Sequence, residues 1–123
     1  MVMLDSDVLI EIVRGRNQEI SARWTELGRT DTPVLYTPIT EAELWVGARP
    51  PEFEALDELF QTLSCVAIDR EVGRLAGEYL RQYRKSHGVH LGDALIAASA
   101  VVNHAPLWTR NRKHYPMPEV SFY

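Results

Sequence analysis

The chain has 123 residues, of which 46% are hydrophobic and 24% are charged, and its formal net charge at pH 7 is −4. That length suits one folded domain, so we expect residues 1–123 to form a single unit. A net negative charge argues against broad, sequence-independent attraction to nucleic acid. It does not exclude an enzyme whose acidic residues gather around a divalent cation.

Membrane insertion and disulfide chemistry are not indicated. No apolar run approaches the roughly 20 residues that are needed to cross a bilayer, and the first residues lack the charge pattern of a signal peptide. We therefore expect a cytoplasmic protein without a membrane-bound segment. The single cysteine, Cys65, has no partner for an internal disulfide and lies in an apolar run, so we expect it in the core.

Short apolar runs alternate with helical patterns along the whole chain. Strands are predicted at 2–4, 34–36, 65–68 and 106–109, with a short last strand at 120–122. Helices are predicted at 8–14, 17–27, 40–48, 53–63, 70–87 and 91–102, and several are followed by a glycine that ends them. This alternation predicts an α/β fold with a mostly parallel sheet of four to five strands, covered on both faces.

Acidic residues and threonine suggest where the helices begin. Asp7 is a candidate cap for the first helix, which leaves Asp5 as the inner residue, and Asp69 is a candidate cap for the helix at 70–87. Thr40 and Glu43 have the spacing of a capping box. Glu41, in the first turn of the same helix, is expected to be solvated.

The helix at 91–102 is apolar or small at eleven of its twelve positions, which predicts that it is buried on all sides. Its only charge is Asp93, near its beginning. A carboxylate at such a place either caps the helix, pairs with a cation or binds a metal ion. Capping and metal binding are compatible, so both interpretations stay open for Asp93.

Four oxygen-bearing side chains are predicted to meet at one edge of the sheet. Asp5 ends the first strand, Glu43 lies one turn beyond the second, Asn111 follows the fourth, and Asp93 opens the helix that leads to it. The carboxyl ends of parallel strands are where open α/β sheets form their sites. Carboxylates packed together repel one another unless a cation lies between them, and oxygen ligands suit Mg²⁺ or Mn²⁺.

A basic segment follows the fourth strand. Arg110, Arg112 and Lys113 lie next to the expected metal site and are candidates for contacting a phosphate group. The alternative is that this segment is ordinary solvated surface and that a nucleic acid lies along Arg81, Arg84 and Lys85 instead.

With these residues identified, the chain resembles the PIN-domain family, in particular the VapC-type toxins of bacterial and archaeal toxin–antitoxin pairs. Four stretches carry the resemblance, in the family's order and spacing: residues 3–10, 39–48, 92–98 and 107–115. Each stretch is a weak pattern by itself, but the ordered set is specific and spans nearly the whole chain.

The resemblance implies a three-layer α/β/α sandwich and a Mg²⁺- or Mn²⁺-dependent endoribonuclease. It implies that Asp5, Glu43 and Asp93 bind the metal, with Asn111 as a fourth catalytic position that is acidic in many relatives. Ser6 and Thr109 lie inside the matching stretches and are expected beside the RNA substrate. A neutral Asn111 holds a cation less tightly than a carboxylate, which leaves open whether one or two metal ions bind.

The resemblance also implies partners: an RNA substrate, a second copy of the chain in a homodimer, and a small VapB-like antitoxin whose C-terminal segment covers the active site. An apolar surface for the antitoxin has four candidate residues, which are equally plausible as core: Trp45, Phe53, Leu56 and Phe60.

Three other functions are compatible with parts of the sequence. A haloacid-dehalogenase-like phosphatase also begins with a strand and Asp-x-Asp, which Asp5 to Asp7 match, but it needs a late acidic pair that is missing after Trp108. A phosphoacceptor signalling domain has an aspartate after its third strand, where Asp69 lies, and also a late lysine, which is missing here. A PIN scaffold that binds RNA or a protein without cutting is the third alternative.

Overall fold

The computed structural model describes residues Met1–Tyr123 and contains four strands and six helices. In chain order these are β1 (Val2–Leu4), α1 (Ser6–Arg14), α2 (Gln18–Gly28), β2 (Val34–Tyr36), α3 (Pro38–Gly47), α4 (Phe53–Gln61), β3 (Ser64–Cys65), α5 (Arg70–His87), α6 (Leu91–Val102) and β4 (Leu107–Trp108). Two short 3₁₀ turns, at Pro50–Glu52 and Arg112–His114, complete the regular structure. No helix is long and apolar enough to span a membrane.

The strands form one parallel sheet in the order β3-β2-β1-β4. Met3 in β1 is paired with Leu35 on one side and with Leu107 on the other, so β1 lies in the centre. The predicted last strand is reduced to a single bridge between Phe122 and Leu107. The prediction of a mostly parallel sheet of four to five strands is confirmed.

Alternate residues of the central strand point to opposite faces of the sheet, as strand geometry requires. Met3 belongs to one hydrophobic cluster, together with residues of α5 and α6, whereas Val2 and Leu4 belong to a second cluster with residues of α1 to α4. Each face of the sheet is therefore covered by its own set of helices. The three-layer α/β/α sandwich implied by the family resemblance is confirmed.

The most buried helix is α6, as its uniformly apolar sequence predicts. Ala94, Ala97, Ala98 and Ala100 are all buried, in a cluster that also contains Val72, Ala76 and Tyr79 of α5. Small side chains let the two helices pack closely while α6 also contacts the sheet. This burial fixes the beginning of α6, where Asp93 lies.

Two predictions about the edge strand were wrong. β3 contains only Ser64 and Cys65 instead of residues 65–68, and Cys65 is exposed instead of lying in the core. β3 pairs only with β2 and is an outer strand of the sheet, so no neighbouring strand covers its outer side. An apolar run in the sequence does not distinguish an inner strand from an outer one.

The N-cap residues of three helices differ from those predicted, although α6 begins at Leu91 as expected. The cap of α1 is Asp5, whose carboxylate accepts a hydrogen bond from the Ser6 N–H, and not Asp7. The cap of α3 is Thr37, because Pro38 fits the first turn of a helix, so the predicted capping box between Thr40 and Glu43 is wrong.

The third case is α6, which has His90 as its N-cap residue. Asp93 is therefore not the cap, although its Oδ2 accepts a hydrogen bond from the backbone N–H of His90 at 3.2 Å. The predicted cap of α5 is correct, since Asp69 accepts a hydrogen bond from the Val72 N–H.

The C-terminal residues are attached to the sheet through aromatic rings. The guanidinium of Arg23, in α2, lies 4.8 Å from the centroid of the Trp108 ring and 4.7 Å from that of Tyr123. The backbone N–H of Tyr123 donates to the carbonyl of Leu107. These contacts connect β4, which precedes the basic segment, to the helices on one face.

Candidate active site

A cleft of about 560 Å³ opens where β1 ends and α3 and α6 begin. Its polar lining residues are Asp5, Ser6, Asp7, Glu43, His90, Asp93, Asn111 and His114. Four carboxylates thus face one cavity, and no lysine or arginine lines it. The structure brings together Asp5, Glu43, Asp93 and Asn111, which the sequence analysis placed at this edge.

Asp5 is buried and has the most hydrogen-bond donors of the four acids. Oδ1 accepts from the Ser6 N–H at 2.8 Å, and Oδ2 accepts from the hydroxyls of Thr109 and Tyr115, each at 2.8 Å. These donors fix the carboxylate in one orientation at the carboxyl end of β1.

Asp7 lies in the first turn of α1, and one of its two carboxylate oxygens is buried without a hydrogen-bond partner. Its Oδ2 accepts from the backbone N–H of Arg110 at 3.1 Å, whereas the oxygen without a partner is Oδ1. Burial and the negative charge of Asp5 raise the pKa of Asp7 to about 6. A positive charge placed near Asp7 would therefore stabilise the ionised form of its carboxylate.

Glu43 is held on the opposite wall of the cleft by α3. Its Oε1 accepts a hydrogen bond from the Ser6 hydroxyl at 3.0 Å, and that hydroxyl also lies 3.1 Å from Oγ1 of the buried Thr40. Ser6 therefore connects α1 to α3 through Glu43, and its hydroxyl is engaged by side chains of the protein.

Glu41 does not belong to the cleft, and the expectation that it is solvated was wrong. Its two carboxylate oxygens accept hydrogen bonds from the hydroxyl of Tyr36 and from the indole N–H of Trp45, each at 3.0 Å. The two glutamates of α3 thus have separate surroundings: Glu43 faces the cleft, whereas Glu41 ties α3 to β2.

The residues after β4 form the remaining wall. The Thr109 hydroxyl donates to Asp5 and accepts from the backbone N–H of Asn111 at 3.1 Å. The side-chain amide of Asn111 lies 3.1 Å from Nε2 of His114. Thr109 is therefore a residue that positions Asp5, while Asn111 and His114 present polar atoms to the cleft.

The three basic residues of this segment have different surroundings. Arg110 forms an ion pair with Glu11 at 3.2 Å, and the guanidinium of Arg112 lies 4.9 Å from the centroid of the Phe122 ring. Lys113 is exposed and forms no ion pair. Lys113 is therefore the basic side chain of this segment that is most available to a ligand.

Tyr115 is a site residue that the sequence analysis missed. Its buried hydroxyl donates to Oδ2 of Asp5, and burial, together with the charge of Asp5, raises the pKa of Tyr115 far above the usual value for tyrosine. Asp5 and Tyr115 are 110 positions apart in the chain, so no local pattern relates them. His90 was also missed, since an isolated histidine carries no spacing signal.

The donor set fits a hard divalent cation. It consists of carboxylate oxygens with no competing cationic side chain, and the buried, unpartnered Oδ1 of Asp7 would gain from a nearby positive charge. No three His, Cys, Asp or Glu side chains are close enough together in this structure to ligate one ion. The fit therefore rests on the chemistry of the donors and not on a preformed set of ligands.

An apolar groove of about 490 Å³ lies beside the cleft, between α1, α3 and α4. Its apolar lining includes Ile10, Val13, Leu44, Ala48, Leu56 and Leu59, and Glu43 lines both the groove and the cleft. Of the four residues considered for an apolar surface, Leu56 and Phe60 are buried core, Trp45 is half-buried and Phe53 is exposed.

The chain is similar to known proteins along almost its full length. The model of the PIN domain family matches residues 2–120. Ribonuclease VapC10 from Mycobacterium tuberculosis is 38% identical over 121 residues, which are 97% of this chain and 89% of that protein. Ribonuclease VapC19 from the same organism is 30% identical over 95% of this chain and 94% of its own length.

Solved structures share the fold at lower identity. VapBC2 from Rickettsia felis, bound to a DNA fragment from its promoter, matches with a TM-score of 0.79 at 21% identity, over 100% of this chain and 98% of that chain. VapBC-1 from nontypeable Haemophilus influenzae matches with a TM-score of 0.80 at 22% identity, over 100% of this chain and 97% of that chain.

Proposed function

Since the chain belongs to the PIN-domain family, we propose that it is a VapC-type endoribonuclease toxin that cuts RNA with the help of a divalent cation and is inhibited by a small VapB-like antitoxin. The observation that carries the proposal is the single cleft lined by four carboxylates and by no lysine or arginine. Membership of this family leaves no support for a haloacid-dehalogenase-like phosphatase or for a phosphoacceptor domain.

We assign Asp5, Glu43 and Asp93 as the residues that hold Mg²⁺ or Mn²⁺. When bound, such an ion lowers the pKa of a water molecule and neutralises charge on a phosphodiester group. Asp5 is oriented for this role by three hydrogen bonds, and Glu43 is oriented by the Ser6 hydroxyl. Asp93 is held near the beginning of a buried helix, so its backbone position is rigid.

Other residues of the cleft support the carboxylates or face the RNA. Thr109 and Ser6 hold Asp5 and Glu43 in place, and they act on RNA through those carboxylates. Asn111 is the fourth catalytic position, and its neutral amide adds no charge to the site. Lys113, Arg112 and Arg110 supply positive charge for the phosphate groups of the substrate, with Lys113 the most accessible.

The apolar groove between α1, α3 and α4 is the place where we assign the antitoxin. It has the chemistry that a short amphipathic segment needs, and it ends at Glu43, so a segment that fills it reaches the edge of the cleft. We also propose that the toxin is a homodimer, as the resemblance to VapC-type toxins implies. Light scattering of the purified chain tests the dimer.

Incubation with total RNA tests the proposed function. The wild-type chain is expected to produce new 5′ ends in the presence of Mg²⁺ or Mn²⁺ and none with EDTA, and sequencing of those ends identifies the target. The variant Asp93→Asn is the control for a contaminating nuclease and should produce no cuts. A folded protein that binds RNA without cutting it in any of these conditions would instead be a non-cleaving PIN scaffold.

A further inference from the structure

The outer face of α5 carries a row of basic side chains that the proposed active site does not use. We call these residues the α5 basic face: Arg70, Arg74, Arg81, Arg84 and Lys85. All five are exposed, and none forms a salt bridge. Helical spacing places them opposite Val72, Ala76 and Tyr79, which face the core, along about 22 Å of the helix.

Positive charge is concentrated on this helix. α5 has five lysine or arginine residues and two acidic ones, Glu71 and Glu78, a surplus of three positive charges. The whole chain has a net charge of −4, so the residues outside α5 carry a net charge of −7. A row of unpaired basic side chains on an otherwise acidic protein attracts a polyanion locally.

The chemistry of the face favours backbone phosphates over unstacked bases. Proteins that hold single-stranded RNA provide aromatic rings on which the bases stack. α5 carries two tyrosines, the buried Tyr79 and the half-buried Tyr83, and one exposed ring, that of His87. Helical spacing places His87 on the side of Tyr83, against which its ring packs, so no aromatic ring stands among the basic side chains of the outer face. A straight row of cations without aromatic rings suits the regular phosphates of a duplex.

The C-terminal end of the α5 basic face is close in the chain to residues that line the cleft. α5 ends at Gly88, and two residues later His90 lines the cleft and precedes the helix that carries Asp93. An RNA that lies along the end of α5 is therefore close to the carboxylates. By contrast, Arg110 and Arg112 beside β4 are already engaged by Glu11 and Phe122.

We propose that the α5 basic face binds the phosphate backbone of a double-stranded RNA stem whose adjoining single-stranded segment enters the cleft. This inference rests on the proposed ribonuclease function and adds to it a second RNA-contacting surface, outside the cleft: the α5 basic face.

Binding measurements with two RNA probes test the proposal. The probes are a single strand of about eight nucleotides and the same strand joined to a hairpin stem of about twelve base pairs, which exceeds the length of the basic face. Both are titrated with Asp93→Asn protein at several salt concentrations, so that no cleavage occurs. The test variant adds Arg74→Ala, Arg81→Ala and Lys85→Ala.

The test variant is expected to bind the hairpin probe at least about tenfold more weakly, with a salt slope reduced by roughly two to three units, and to bind the single strand as before. The control removes the same number of exposed cationic side chains elsewhere, by Arg16→Ala, Arg29→Ala and Arg49→Ala, and should change neither probe's slope. Arg29 and Arg49 are paired with Glu26 and Glu52, unlike the side chains of the α5 basic face. The proposal is overturned by an unchanged slope with the hairpin, by equal losses with both probes, or by equal losses in the test and control variants.

Failure of this proposal is distinguishable from failure of the proposed function. If the wild-type chain cuts total RNA but the test variant binds the hairpin normally, the proposed ribonuclease function stands and the α5 basic face is not a binding surface. If the wild-type chain cuts no RNA in the presence of Mg²⁺ or Mn²⁺, the proposed ribonuclease function is wrong, whatever the binding of the two probes.

Discussion

The aspartates of the cleft differ in how many hydrogen bonds their carboxylates accept. Asp5 accepts three, whereas Asp93 accepts one, from the His90 N–H. Asp93 therefore has the freer oxygen atoms and is the better position at which to remove a metal ligand without disturbing the fold. Asp5, in contrast, also caps α1 and connects it to Thr109 and Tyr115.

For this reason we predict that Asp93→Asn abolishes the rise in melting temperature that Mg²⁺ or Mn²⁺ gives the wild-type chain. Preferential binding of a metal ion to the folded state raises the melting temperature, and an amide in place of the carboxylate removes a charged ligand. Thermal unfolding with increasing metal concentration measures the effect. Asp69→Asn is the control, because Asn also caps a helix and Asp69 lies outside the cleft. An unaltered metal response in Asp93→Asn would remove Asp93 from the site.

The two glutamates of α3 should give opposite results when each is changed to glutamine. Glu43→Gln is expected to abolish cleavage with little change in stability, because Glu43 faces the cleft. Glu41→Gln is expected to keep cleavage and to lower the free energy of unfolding by about 1–2 kcal/mol, since one of its two hydrogen-bond donors loses its acceptor. Cleavage assays and denaturant unfolding of both variants measure these effects. A Glu41→Gln variant that loses cleavage while Glu43→Gln keeps it would contradict the assignment of Glu43 to the active site.

The basic segment after β4 should affect single-stranded RNA. We predict that Arg112→Ala together with Lys113→Ala weakens binding of the eight-nucleotide probe and lowers its salt slope by roughly one unit, because Lys113 is the more accessible of the two. The affinity for Mg²⁺ should not change, since neither side chain can be a metal ligand. Titration of the Asp93→Asn protein at several salt concentrations measures this, and an unchanged slope shows that the segment is ordinary surface.

At the scale of the element, a glycine inside α5 and the glycine that follows it have opposite roles. Gly88 ends the helix with a φ of 63°, a left-handed conformation that a Cβ atom disfavours. Gly77 lies inside the helix, and a Cβ added there meets no atom within 4 Å. We predict that Gly88→Ala lowers the free energy of unfolding by about 1 kcal/mol and that Gly77→Ala raises it by about 0.5–1 kcal/mol. Denaturant unfolding measures both, and a loss of stability in Gly77→Ala would contradict the open surroundings of that residue.

At the scale of the whole molecule, the proposed catalytic cleft and the proposed antitoxin groove adjoin and share Glu43. The cleft is polar, whereas the groove between α1, α3 and α4 is mostly apolar. A substitution in the groove, at a position away from Glu43, should therefore weaken inhibition by the antitoxin and leave RNA cleavage unchanged.

We predict that Val13→Glu weakens neutralisation by the antitoxin at least about tenfold while RNA cleavage stays normal, because it buries a charge against an apolar partner. Val13 lines the groove and is 44% exposed. Val46→Glu is the matched control, since Val46 is 88% exposed and does not line the groove. Cleavage assays with increasing antitoxin measure the difference, and equal inhibition of both variants would place the antitoxin elsewhere.

The sequence by itself determined the alternation of strands and helices, the burial of α6 and the positions of the acids at the strand ends. These features depend on hydrophobic periodicity and on turn signals within a few residues, which are local in the chain. Asp5, Glu43, Asp93 and Asn111 could be grouped on that basis, because parallel strands bring their carboxyl ends to one edge.

Only the tertiary structure decided which side chains are engaged and which are free. Cys65 is exposed because β3 is an outer strand, Arg110 is paired with Glu11 of α1, and Tyr115 donates to an aspartate 110 positions away. Contacts between residues that are distant in the chain depend on the order of the strands and on the packing of helices against the sheet. Local pattern carries no information about either, and for that reason the partners of the site residues became visible only in the folded molecule.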